Sequence, residues 1–511
     1  MDEVLEPQID DLQEKGLEHN AVGLVSSVTI GLASTAPAFS LAATVGYLAL
    51  EVGNYAPAAI VVAFIPIIFI AIAYRELNRV IPDCGTTFTW GTKAFTPRIG
   101  WMGGWGVAVA GVIFMANAAD VVGIYAIQLY GTLTGNPDPA EMTESKLAVG
   151  IIGVIFILVM SAINYRGIEG GARMQYVMVG VQFAALFAVI VAALWQVSQG
   201  TQNPDAEPFT WSWFNPFEID GMTSFVTAAL LAIFIFWGFD TTLAINEETK
   251  DSTRTPGRAA VISTVILLGT YVLVTVALQM YAGVEKSGLG SKKNADDVFA
   301  VVADPLLGSW GLPLLLLAVL ISAAASMQTT IMPTARGTLA MGVYKALPSR
   351  FADVNPKYHS PGFSTVVMAV VATVFYIGFK FISEDILADT ILSIGLAIAF
   401  YYAITGFSCA WYFRRDMVLG VRDFFVLFLL PLLGGLIMAA VFVRSAFDMY
   451  DPDYGYTVLM GIGGVFVMGM GALLAGVVVM IIWNIVAPPF FRGETLHRDT
   501  PVLVPDDWPQ I

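Results

Sequence analysis

Ser34, Thr35, Asp120 and Asp240 stand inside stretches otherwise apolar enough to cross a bilayer. A charged, unpaired carboxylate in hydrocarbon costs several kcal/mol, so such groups are protonated, paired or in use. Ser34 and Thr35 belong to Gly31-Leu32-Ala33-Ser34-Thr35-Ala36-Pro37, which interrupts the apolar run of about 22–50. Asp240 belongs to Trp237-Gly238-Phe239-Asp240-Thr241-Thr242, which interrupts the run of about 225–246. Lipid has no partner for a free N–H or C=O, so unwound backbone survives there only beside a protected polar cavity. A matched pair of broken helices marks an inverted-repeat carrier with its substrate site near mid-membrane. An α-amino acid suits such a site, because its carboxylate needs N–H donors at a positive helix end and its ammonium needs carbonyls at a negative one.

The backbone N–H groups of Ser34, Thr35 and Ala36, with the Ser34 hydroxyl, are the candidates for the carboxylate. Pro37 fits the first position of the continuing half-helix, where its missing N–H costs nothing. Ser34 and Thr35 could equally bond back to their own helix. Asp240 suits a proton carrier, a cap on the second half-helix, or a partner for a loop arginine. Asp120 and Asn117, three residues apart, share a helical face. They suit a cationic amine or a coupling ion, or else a hydrated position near the outer helix end.

The elements that must position these groups are helices. The chain has 511 residues, is 57% hydrophobic and only 13% charged, about half the charged share of an average soluble domain. About 20 apolar residues span a bilayer, and twelve spans are expected: 22–50, 56–74, 101–130, 147–164, 174–197, 223–246, 259–283, 309–343, 361–382, 389–413, 424–447 and 457–487. With the N-terminus inside, 18 of the 25 Lys and Arg fall on inner segments and six on outer ones. That bias orients both termini to the cytoplasm, as a multi-pass protein of the cytoplasmic (inner) membrane. The first twenty residues are acidic and polar and lack the pattern of a cleaved signal. Cys84 and Cys409, in an inner loop and a span, argue against a structural disulfide. The three histidines lie outside the spans, and HExxH, GxSxG and GxxxxGK[ST] strings are absent, so the chain does not read as an enzyme.

The organisation follows: an N-terminal tail (1–21), a core (22–420) made of repeat one (22–197) and repeat two (223–413), two peripheral spans (421–487) and a C-terminal tail (488–511). Five spans per repeat is an odd number, so the second repeat starts from the opposite side. The segments 198–222 and 284–308 read as longer outer loops. Gly471/Ala475 and Ala472/Gly476 are small-xxx-small pairs that suit close helix packing or a dimer seam. Thr44-Val45-Gly46-Tyr47-Leu48 is like a potassium-filter string, but it lies in a helical run with no paired pore helix.

Several strings resemble the amino acid–polyamine–organocation (APC) permeases. They are Tyr74-Arg75-Glu76-Leu77, then Pro82-Asp83-Cys84-Gly85-Thr86, then Gly104-Trp105; Asn164-Tyr165-Arg166-Gly167; Gly238-Phe239-Asp240 followed by Glu247-Glu248-Thr249; and Arg336-Gly337-Thr338-Leu339 followed by Leu347-Pro348. The resemblance covers roughly residues 20 to 420. It implies an all-α membrane protein of twelve transmembrane helices, the five-plus-five inverted repeat of LeuT-like carriers (the APC fold), with helices 1 and 6 broken and alternating access. It also implies Gly238 in the site and Phe234 as a gating aromatic over substrate, where plain packing of an apolar ring is the equal alternative. Ser322 and Ser326, in a span that faces the first, are weak candidates for sodium. Three departures stand out. Ala33-Ser34-Thr35 replaces Gly-Ser-Gly, Thr86 replaces a second glycine, and Gln182 stands where some proton-coupled members have lysine.

The expectation is therefore a secondary carrier for an amino acid or polyamine, with a proton as coupling ion and no bound cofactor. Glu247 and Glu248 read as an inner-gate charge cluster near Lys250, Arg254 and Arg258, or equally as anchors of that loop. The rivals are exchange without net proton flow and a nutrient sensor on a transporter scaffold. The partners expected are the small-molecule substrate and the lipid bilayer, with no nucleic acid.

Overall fold

The computed structural model describes residues 15–136, 139–295, 298–383 and 385–502. Much of both expected tails, 1–14 and 503–511, lies outside the described residues. The helices are α1 (Leu24–Ser34), α2 (Pro37–Val52), α3 (Ala56–Val80), α4 (Thr87–Ala94), α5 (Pro97–Leu133), α6 (Lys146–Tyr165), α7 (Ile168–Gln199), α8 (Met222–Phe236) and α9 (Thr241–Ala244). There follow α10 (Thr255–Ala282), α11 (Lys292–Ala295), α12 (Val298–Leu307), α13 (Gly311–Val343), α14 (Gly362–Ile382), α15 (Ile386–Tyr412), α16 (Val421–Asp423), α17 (Leu430–Asp448) and α18 (Gly464–Val486). A π-wound turn, Phe424–Leu429, joins α16 to α17. Among the described residues ten helical stretches are long and apolar enough to cross a membrane, the first of them running from Leu24 to Val80; α8 is a shorter apolar helix.

Local chemistry explains the ends. Thr96 caps α5 by accepting the Ile99 N–H at 3.4 Å, and Ser145 does the same for Ala148 ahead of α6. α7 stops at Gly200, which is left-handed (φ +72°), the favoured residue for that stop. The long α5 forms the spine of the bundle, packed on α13 and α15. Leu, Val, Phe and Ile ring the outside of α6, α7, α10, α14 and α18, the surface lipid covers.

Three readings change. The loop around 87–94 contains a buried helix, α4, whose Trp90 donates to Ile81 O at 2.9 Å. The outer segment 284–308 holds α11 and α12, with Val298, Phe299, Val302 and Ala303 buried at helical spacing. Span twelve starts at Gly464 rather than 457. Met460 and Gly461, both with positive φ, turn the chain between two short strands, Val458–Leu459 and Ile462–Gly463, as a two-residue hairpin loop requires. Gly476 lies under the Trp105 indole of α5, whose Nε1 donates to Ala472 O at 2.9 Å, so that small-residue pair serves internal packing. The filter-like string is plain helix within α2, and Gly46 meets the backbone of Ala295 in α11.

Candidate functional site

Each break is built from few residues. α1 ends at Ser34, and Ala36 takes a left-handed conformation (φ +47°, ψ +61°) before Pro37 opens α2. A non-glycine residue there is strained, and surrounding bonds hold it. Ser40 Oγ donates to Thr35 O at 2.6 Å, Ser326 Oγ to Ser34 O at 2.6 Å, and the Phe39 N–H to Ser322 Oγ at 3.1 Å. At the second break Trp237 is extended and Gly238 has φ +119°. Tyr271 OH closes the open end of α8 by donating to Ile235 O at 2.7 Å.

The two breaks meet. A Cβ at Gly238 would lie 2.7 Å from the carbonyl carbon and oxygen of Ser34, so only glycine fits. Ser34 Oγ and Thr241 Oγ1, one from each break, are hydrogen-bonded at 2.8 Å. Thr35 Oγ1 bonds back to Leu32 O at 2.8 Å, the alternative raised from sequence. Phe234 packs edge-on against Phe39 and tilted against Phe114, which also meets Trp237. These four buried rings form an aromatic layer beside the junction.

Asp240 is buried, and its Oδ2 accepts the Tyr401 hydroxyl at 2.8 Å. Tyr401 in turn accepts the Trp237 indole N–H. Its side chain does not cap α9, and among the described residues it joins no ion pair. Gln182 reaches the first break through one intermediary: Ser322 Oγ donates to Gln182 Oε1 at 2.7 Å while accepting from Phe39. The hydroxyls of Ser322 and Ser326 are thus engaged with α2, α7 and the end of α1.

Asn117 and Asp120 lie elsewhere. Asn117 Nδ2 donates to Leu387 O at 3.1 Å and Thr390 Oγ1 at 2.8 Å, at the start of α15. Asp120 pairs with Lys380 of α14 and accepts Tyr376 OH at 3.0 Å. The cation facing Asp120 is the chain's own.

The Glu247–Glu248 cluster differs in its partners from the sequence reading. Glu248 forms a two-pronged pair with Arg336, and Glu247 pairs with Lys15 at 2.6 Å; neither pairs with Lys250, Arg254 or Arg258. Lys15 Nζ also meets Asp83 Oδ2 at 2.7 Å. Asp83 further accepts Tyr344 OH, Thr89 Oγ1 and the Gly85 N–H, and Glu247 Oε1 accepts the Cys84 N–H at 2.8 Å. Asp83, Cys84 and Glu247 cluster closely enough to ligate a metal, but the Lys15 ammonium already fills the space. Burial would lower the Lys15 ammonium, yet Asp83 and Glu247 hold it well above its ordinary value. Burial opposes ionisation of Asp83, and Lys15 overcomes it, keeping that carboxyl below its usual range. Val22 continues the closure, pairing with Thr249 in a parallel bridge: its N–H donates to Glu248 O at 3.1 Å and its carbonyl accepts the Lys250 N–H at 2.9 Å. The segment from Lys15 to Val22 is thus a strap across this end.

At the opposite end, a polar cavity of about 290 Å³ opens between α2, α8, α15 and the segment before α18, lined by Tyr47, Glu51, Thr227, Leu231, Leu392 and Tyr454 among others.

Sequence reasoning missed Lys15, Tyr271, Arg336 and Tyr401. Two signals were available: a lone lysine beside the first span in an acidic tail, and the Tyr401-Tyr402 pair inside an apolar span. Membrane-length helices around two touching breaks, sealed at one end and open at the other, define a multi-pass membrane transport protein. The chain belongs to the amino acid permease family, whose model matches residues 20–467. It is 24% identical over 425 residues to the low-affinity putrescine importer PlaP of Escherichia coli K12, covering 82% of this chain and 87% of that protein. It is 28% identical over 219 residues to the branched-chain amino acid permease BcaP of Lactococcus lactis, covering 41% and 45%. With the arginine/ornithine antiporter of Latilactobacillus sakei it shares 22% over 412 residues, covering 78% and 82%.

Proposed function

We propose that the chain is a secondary carrier of an amino acid or polyamine, working by alternating access in the cytoplasmic membrane with both termini inside. In this reading twelve spans form a five-plus-five inverted repeat, with α1–α2 and α8–α9 as its broken first and sixth spans. The observation that carries the reading is the junction of the breaks, where Gly238 seats on the Ser34 peptide and Ser34 bonds Thr241. A substrate carboxylate enters by exchanging places with one of those hydroxyls and drawing on the N–H groups around Ala36. The ammonium turns to the carbonyls ending α8, and the layer of Phe39, Phe114, Phe234 and Trp237 covers the apolar part. Asp240, in no ion pair among the described residues but hydrogen-bonded to Tyr401, is the proton carrier; no cofactor is required.

Two experiments test this. Thermal stabilisation of the purified protein is read against amino acids, diamines and carboxyl-blocked analogues, since a ligand stabilises by RT ln(1 + [L]/Kd). A shift from free amino acids that vanishes on blocking the carboxylate supports the junction as the site. A shift from diamines alone moves the substrate to polyamines, and no shift from any of them sinks the reading. In liposomes, Asp240→Asn should lose pH-driven accumulation while keeping counterflow. Accumulation by that variant on a proton gradient alone removes Asp240 as proton carrier.

A further inference from the structure

Five arginines gather around one carboxylate at the gated end of the bundle. Arg75 and Arg79 project from the end of α3, Arg254 and Arg258 from the start of α10, and Arg422 from α16; with Glu76 they line a pocket of about 300 Å³. Asn78 ties this end of α3 to the segment leaving α9, donating to Ser252 O at 2.6 Å and accepting from Asn246 at 2.7 Å. Glu76 engages both Arg75 and Arg79. Arg254, Arg258 and Arg422 have no ion-pair partner among the described residues. None of the three takes part in the gate, whose carboxylates are held by Lys15 and Arg336.

We propose that this pocket binds the headgroup of an anionic phospholipid, with the guanidiniums on the phosphodiester and the acyl chains along the adjoining apolar helix faces. Guanidinium presents a planar fork that matches two oxygens of a phosphate. Five such groups against one carboxylate leave the lining strongly positive. The surroundings select a lipid over a free phosphate. Val80 is 45% exposed and Val421 78%, each next in sequence to a lining arginine, and Ile262, 40% exposed, lies one turn from Arg258 on its face. Val265 and Phe425 continue these exposed apolar surfaces. A soluble anion would use the arginines alone, whereas a phospholipid covers both. Basic pockets between membrane helices on the cytoplasmic side are a recurrent headgroup site.

The test uses the full-length protein in detergent, titrated with phosphatidylglycerol, phosphatidylcholine or glycerophosphate and read by native mass spectrometry. Wild type should retain phosphatidylglycerol in preference to phosphatidylcholine. Arg258→Gln/Arg422→Gln should weaken that retention by roughly 25-fold, at about fivefold per arginine. Arg350→Gln/Arg415→Gln, with the same charge change at exposed positions outside the pocket, should leave it unchanged. Equal retention of the two lipids by wild type overturns the proposal without any variant, as does equal loss in both double variants. If glycerophosphate displaces the lipid at equal concentration, the pocket is a soluble-anion site and the lipid assignment falls.

Discussion

Two backbone positions show how single residues set the limits of this fold. Gly238 must be glycine twice over, for its φ of +119° and for the Ser34 carbonyl 2.7 Å from where a Cβ would sit. Gly238→Ala should therefore cost about 3 kcal/mol, combining backbone strain with overpacking, and should abolish uptake in liposomes. Gly180→Ala is the comparison: its Cβ would meet nothing within 4 Å in the interior of α7. That change should be neutral or stabilising by up to about 1 kcal/mol, with uptake retained. Thr86 is the converse case. It holds φ +45°, ψ −117° where the family pattern has glycine, a genuine outlier for a β-branched residue. Relief of about 1–3 kcal/mol of strain exceeds the added freedom that glycine gives the unfolded chain. Thr86→Gly should raise the melting temperature, and an unchanged or lower value would refute the strain argument.

At the scale of elements, legibility followed the physics of burial. The breaks in α1–α2 and α8–α9 were readable because Ser-Thr-Ala-Pro and Gly-Phe-Asp have no reason to stand in lipid unless backbone is unwound there. α4 was not readable: eight residues containing three threonines and a lysine carry no membrane signal, and their burial comes from α5 and α15. α12 reads as loop in the sequence, although Val298, Phe299, Val302 and Ala303 have helical spacing, because ten residues are too few to span. Asp120 misled because a buried acid and its base can be far apart in sequence. Its partner, Lys380, lies 260 residues away at the end of α14. That pair should behave as a unit between α5 and α14. Asp120→Asn or Lys380→Met alone should destabilise by about 3–5 kcal/mol, and the double variant should recover most of it. Additive losses in thermal melts would show that the two residues act separately.

For the whole molecule, the two ends are unequal: one holds an open polar cavity and the other is closed by the Lys15–Val22 strap and its buried ion pairs. In the proposed alternating-access cycle, opening the closed end would separate Lys15 from Asp83 and Glu247, so that ammonium would govern how firmly this conformation is held. Cys84, buried among the same groups, reports the opening. Lys15→Met should raise the rate of Cys84 alkylation by a membrane-permeant maleimide at least tenfold, and an unchanged rate would mean the strap does not close the gate. The pH dependence has a definite sign. In wild type burial keeps Glu247 above its usual range, whereas Lys15 holds Asp83 below its own and is itself held above. The stabilisation from Asp83 and Lys15 is therefore present above the unfolded carboxyl value of about 4, is lost below it as Asp83 protonates, and is lost at the alkaline end above about 10 as Lys15 deprotonates. Without Lys15, two buried carboxylates face each other with no directly paired cation, Lys93 and Arg336 acting only at longer range, and burial raises both. The folded variant then binds more protons than its unfolded chain, so its stability falls as pH rises from about 4. The difference in melting temperature between wild type and Lys15→Met should thus widen from pH 4.5 through 6 to 8. A difference that stays constant over that range would place the charge of Lys15 outside the energetics of closure and reduce the strap to simple packing.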